Sequence, residues 1–106
     1  MSQTTQVRGV ATNVFTDANG DLCVMYHGTV VWRRRLDGSI TLHTDGWKTA
    51  TTKLRMNQAF NQFGPAYYFV YQKAGSWFVG IRGTDKVLAF DDTSIDLPRI
   101  IDRVAA

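Results

Sequence analysis

The sequence predicts an α+β fold, an antiparallel sheet of hairpins packed on one central helix. Three observations carry that prediction. Glycine turns recur between runs rich in β-branched and aromatic residues, and one segment alone switches strongly to helical spacing. All nine acids of the 106 residues are Asp, with no Glu. Asp favours turns and caps where Glu favours helix interiors, and twelve threonines add further β propensity.

Each element follows from a local signal. Asn19-Gly20 joins a strand at Thr12–Thr16 to one at Leu22–Tyr26. Asp37-Gly38 joins Thr29–Leu36 to Ser39–Thr44, and Ala74-Gly75 joins Tyr67–Lys73 to Ser76–Ile81. Short strands are expected at Lys86–Phe90 and Ser94–Asp96, separated by Asp91-Asp92. Between the second and third hairpins, Met56, Ala59, Phe60 and Phe63 form an i, i+3, i+4, i+7 stripe. Threonines 49, 51 and 52 offer N-cap hydroxyls and Gly64-Pro65 stops the helix, giving a span of about 49–63. A weaker helical signal lies at the C-terminus. There Asp96 caps, Pro98 suits the first turn, and Leu97, Ile100, Ile101 and Val104 share a face. No repeat or long linker divides the chain, so residues 1–106 are expected to form a single domain.

Composition removes several classes of function. With 44% hydrophobic and 12% aromatic residues the chain is globular. A lone cysteine, Cys23, cannot form an internal disulfide, so a disulfide-stapled secreted scaffold is excluded. No apolar run approaches the ~18 residues of a membrane span, and Met1-Ser2-Gln3-Thr4-Thr5 opens no signal peptide. The reading is a soluble, intracellular, β-rich domain with no membrane partner. A net charge of +3 argues against an acidic DNA mimic and permits an anionic partner.

The block Gly46-Trp47-Lys48-Thr49-Ala50-Thr51-Thr52-Lys53-Leu54-Arg55-Met56-Asn57 resembles a recurrent motif of small tailed-phage proteins. There it follows a Tyr-rich strand with a Gly turn, here Tyr26-His27-Gly28-Thr29, and precedes a hairpin like Phe69-Val70-Tyr71-Gln72-Lys73. The resemblance covers about residues 26–79. It implies phage origin and small size, and it assigns no catalytic residues. It directs attention to phage accessory and host-takeover roles, among which anti-CRISPR and other anti-defence proteins are common.

Two basic constellations are candidate binding sites. Lys48, Lys53 and Arg55 surround the expected helix start, where Thr49, Thr51 and Thr52 add hydroxyls and Trp47 precedes them. Free N–H groups, the positive helix end and cations together suit phosphate. The same threonines equally serve as caps. The second constellation is Trp32-Arg33-Arg34-Arg35. If Asp37-Gly38 forms a two-residue turn, Trp32 lies opposite His43 and Arg34 opposite Thr41. Val31, Ile40 and Leu42 then share the face of Arg33 and Arg35, and neither face is cleanly apolar. Arginine alternating with aromatics suits nucleic acid or a protein interface, and it also suits an edge strand protected by charge. All the excess charge falls within residues 1–55, which hold seven basic and four acidic residues.

The third hairpin is apolar on both faces. Tyr67, Phe69, Tyr71 and Phe78 share one, and Tyr68, Val70, Gln72, Trp77, Val79 and Ile81 the other. A helix covers one face, so the other calls for a second subunit, making a homo-oligomer the economical expectation, or for a base-stacking platform. Enzyme signals are thin. Cys23 and His27 lie about 13 Å apart on an extended strand, and Cys23, His27 and His43 lack metal-ligand spacing. No catalytic residue, metal or cofactor is assigned. The leading expectation is a phage accessory protein that binds a host defence complex, or its nucleic acid, through the basic Arg/Trp/Thr surface. The alternatives are an oligomeric nucleotide-sequestering protein with its phosphate site at the helix start, and a single-stranded nucleic-acid-binding or minor virion accessory protein.

Overall fold

A computed structural model describes residues 12–45, 49–90 and 93–99. The hairpins divide between two antiparallel sheets rather than one. The first has the order β1 (Thr12–Thr16), β2 (Leu22–Tyr26), β3 (Thr29–Arg34), β4 (Ile40–His43) and then β8 (Ser94–Leu97). The second has the order β5 (Tyr68–Lys73), β6 (Ser76–Ile81), β7 (Val87–Ala89). Between β4 and β5 runs the single described helix, α1 (Ala50–Phe63).

The apolar stripe of α1 explains how both sheets share one core. Met56, Ala59 and Phe60 are buried and meet Val24, Trp32 and Leu42 of the first sheet, with Tyr68, Val70 and Val79 of the second. Phe60 sits between the sheets, its ring 6.0 Å from Trp32 edge-on and 5.7 Å from Tyr68. Thr49 caps the helix by accepting a hydrogen bond from the Thr52 amide. At the other end Gly64 takes a positive φ of 77° and donates its N–H to the Phe60 carbonyl.

Two expectations are corrected. The β3–β4 pairing sets Trp32 opposite Leu42, Arg33 opposite Thr41 and Arg34 opposite Ile40, one residue from the register a two-residue turn imposes. The loop is longer: Arg35 pairs with Ser39 through an N–H to carbonyl bond of 2.9 Å, and Gly38 at φ 90° ends a three-residue turn. The Asp37 carboxylate accepts from both the amide and the hydroxyl of Ser39, and this holds the longer form. A one-residue slip exchanges faces. Trp32, Ile40 and Leu42 therefore lie together on the face toward the core, with Arg34 beside them at the loop end, while Arg33 and Thr41 lie on the other face.

The second correction concerns the C-terminal helical signal. Asp96 and Leu97 belong to β8, paired as Asp96 opposite Thr41 and Leu97 opposite Ile40. Ile95 and Leu97 alternate with Asp96, so a period of two takes them onto the core as a strand before any helical stripe begins. The rest of that signal, Ile100, Ile101 and Val104, lies outside the described residues. Among the described residues no helix is long and apolar enough to cross a membrane.

Candidate functional site

Each arginine of the run is engaged within the fold. Arg33 pairs with Asp17 and, at 3.1 Å, with Asp21, clamping the β1–β2 turn. This contact raises the Arg33 pKa and holds the Asp17 carboxyl below the usual range. Arg34 donates to the Phe63 carbonyl at 2.5 Å and so answers the end of α1. Arg35 donates to Thr41 Oγ1, which in turn donates to Asp96 at 2.7 Å. Trp32 is fully buried against Phe60 and Phe63. Its expected place in the binding constellation is therefore corrected, because the register places it in the core.

The helix start is similarly occupied. Thr49 is the cap, its hydroxyl 3.1 Å from that of Thr52, and Thr52 is buried. Thr51 is half-buried on the first turn. Lys53 lies 6.0 Å from the Trp77 ring centroid, with its ammonium 3.5 Å from Gln72 Oε1. Arg55 stacks 5.6 Å over Tyr26, donates to Thr12 and Gln58, and thereby ties α1 to the β1–β2 hairpin. Trp47 and Lys48, the other two members of this constellation, lie outside the described residues. Cys23 is buried beside Asp17 and Asp21, and burial pushes its thiol pKa up, away from nucleophilic activation. His27 stands exposed in the β2–β3 turn.

A different surface emerges from the second sheet. Tyr68, Val70, Trp77 and Val79 turn inward to the core. Alternation then sends Phe69, Tyr71 and Phe78 to the opposite face, where they are half-buried and outside the core cluster. Phe69 and Tyr71 stack with ring centroids 5.6 Å apart and planes 28° apart, and Tyr71 and Phe78 stack at 5.6 Å and 29°.

The row depends on Gly80. This residue is paired with Phe69, and a Cβ on it would lie 2.3 Å from Phe69 Cζ. The missing side chain lets the ring lie flat across β6. Arg82 then covers the outer end, its guanidinium 5.0 Å from the Phe69 centroid and its Nε bonded to the Ala66 carbonyl. Exposed Lys73 shares the Phe69/Tyr71 face at the other end. Val87, 48% exposed, borders the row on β7.

The sequence reading finds the two-faced hairpin but misses Gly80 and Arg82, which shape and terminate the row. The available signal was the alternation of Phe69, Tyr71 and Lys73 opposite a glycine-bearing strand.

A family model described as Kyanoviridae Gp96 protein matches residues 1–95. No curated protein and no solved structure matches the chain.

Proposed function

The chain belongs to the Kyanoviridae Gp96 family of phage proteins, and from that premise we propose that it is an accessory protein that binds single-stranded nucleic acid across the outer face of the β5–β6–β7 sheet. The supporting observation is the stack of Phe69, Tyr71 and Phe78 on a sheet face that no other described element covers, bounded by Arg82 and Lys73. Open aromatic rings take unstacked bases whatever their identity, at roughly 1–3 kcal/mol per base, and flanking cations follow the phosphates.

A second copy of the chain is the competing occupant, as the doubly apolar hairpin first led one to expect. Charge disfavours it. A two-fold copy laid on this face would set like-charged Lys73 and Arg82 side chains toward one another, with no carboxylate in the row to offset them. Arg33 and Arg35 would reach a defence complex only at the expense of the ion pairs and hydrogen bonds that hold them, and Arg34 already gives one donor to the Phe63 carbonyl.

The test is fluorescence anisotropy of a labelled oligothymidylate titrated with full-length protein, alongside sedimentation of the protein alone. Saturable binding is expected, weakened about tenfold or more in Tyr71→Ala and in Phe69→Ala, with a shallow salt dependence reflecting few phosphate contacts. Alanine variants that bind like the parent would overturn the reading. So would a dimer that dissociates when Tyr71 is replaced.

A further inference from the structure

A separate feature lies at the far end of α1. Where the chain leaves the helix it closes against the β3–β4 turn and the residues after β8, leaving an open cavity of about 270 Å³. Arg34 and Arg99 line it together with Phe63, Pro65, Tyr67 and the Gly38 backbone, and among the described residues no carboxylate does. Its volume falls just below the roughly 300 Å³ at which small-molecule sites usually begin. A compact ligand is therefore indicated.

The two guanidinium groups reach this cavity by different routes. Arg34 gives one N–H to the Phe63 carbonyl and so neutralises the negative end of α1; its remaining donors bond nothing among the described residues. Arg99 makes no hydrogen bond or ion pair there at all. Its stem lies across Gly38, where a Cβ would come within 2.6 Å of Cδ. The segment carrying it is fixed by the Tyr68 hydroxyl, which donates to the Pro98 carbonyl at 2.6 Å. Asp37, in the facing turn, feels the charges of Arg35 and Arg99, but its carboxylate is already held by Ser39. Among the described residues, then, a guanidinium without a hydrogen-bond or ion-pair partner stands at the mouth of a largely apolar cavity walled by rings.

We propose that this cavity binds a phosphate monoester joined through a sugar to a planar base, the chemistry of a nucleoside monophosphate. The forked donors of Arg99 and the free donors of Arg34 match phosphate oxygens, while Tyr67 and Phe63 offer ring faces to the planar group. The site is distinct from the aromatic row and does not depend on it.

Calorimetric titration of the full chain with 5′-AMP, adenosine and benzoate tests the assignment. AMP should bind at least tenfold more tightly than either of the others. Arg99→Gln should lower AMP affinity about tenfold with little shift in melting temperature, since Gln keeps most of the stem over Gly38 and Arg99 makes no hydrogen bond or ion pair among the described residues. Tyr71→Ala should bind AMP as the parent does, which separates this site from the sheet surface. Benzoate or adenosine binding as tightly as AMP, an unaffected Arg99→Gln, or loss of AMP binding in Tyr71→Ala would each overturn it.

Discussion

The carboxamide of Asn57 and the backbone of Val70 exchange two hydrogen bonds: Asn57 Nδ2 donates to the Val70 carbonyl at 3.0 Å, and the Val70 amide donates to Asn57 Oδ1 at 2.8 Å. β5 is the edge of the second sheet, with β6 on its other side. A primary amide carries the same donor and acceptor as a peptide unit, so α1 supplies one rung of the ladder that a further strand would provide. This blocks pairing at an otherwise open edge and ties the helix to the sheet it covers.

Replacing Asn57 should therefore cost more than its partial exposure implies. In Asn57→Asp the carboxylate still accepts from the Val70 amide but cannot donate, so the Val70 carbonyl is stranded. In Asn57→Leu both backbone groups are stranded. Urea denaturation should show a loss of about 1–3 kcal/mol for the Asp variant and a larger loss for Leu. The Leu variant should also aggregate more readily on warming, as an unprotected edge does. Losses below about 0.5 kcal/mol in both would show that the pair contributes little.

Local signals in the sequence decide most of the strands, and the misses come from the length of one turn and from partners distant in the chain. Thr12–Thr16, Leu22–Tyr26 and Ser76–Ile81 emerge with the expected bounds, because glycine turns and alternation are encoded within a few residues. Trp32 was misplaced because its face depends on whether the turn at Asp37-Gly38 has two residues or three. Ser39 decides that by bonding Asp37. Leu97 suited either a helix or a strand until β4 offered it a partner in Ile40. The site was less legible than the fold. Whether Arg33, Arg34 and Arg35 are free depends on Asp17, Phe63 and Thr41, and only the folded chain brings the first two of these alongside.

The Arg33–Asp17 pair should be visible in acid. Asp17 accepts from Arg33 and from the amides of Asn19 and Asp21, and these bonds lower its folded pKa below its unfolded value near 4. A depressed carboxyl contributes stability that is present above the unfolded pKa and is lost as pH falls through the folded one. Urea midpoints of the parent should therefore fall below about pH 4. Asp17→Asn should start lower at neutral pH and show a shallower acid decline. Asp37, shifted in the same direction by Ser39, retains its own share in that variant. Parallel profiles for the two proteins would remove Asp17 from the acid response.

Gly80 and Phe69 provide a double-mutant test of the aromatic row. Gly80→Ala forces the Phe69 ring off β6, and overpacking of this kind costs about 1–3 kcal/mol. The stack with Tyr71 should be disturbed at the same time. In a Phe69→Ala background the obstructing ring is gone, so the same alanine should be neutral or mildly stabilising, as expected for a strand position freed of glycine. Chemical denaturation of the four proteins gives the coupling directly. An equal cost for Gly80→Ala in both backgrounds would place the constraint in the backbone rather than in the ring.

Tyr68 joins the core to the segment that presents Arg99. It is buried, its hydroxyl donates to the Pro98 carbonyl, and burial pushes its pKa up to about 12. A pKa raised above the unfolded value of about 10 means that this contribution to stability is complete below pH 10. It is lost as pH rises toward 12. Tyr68→Phe should cost about 1 kcal/mol at neutral pH through the lost hydrogen bond, and its urea midpoint should fall less steeply than the parent's between pH 9 and about 11. The same variant releases the Pro98 carbonyl that fixes the approach to Gly38, so AMP affinity should weaken several-fold in Tyr68→Phe while oligothymidylate affinity holds. Parallel alkaline profiles would mean that Tyr68 ionises no later in the folded chain than in the unfolded one.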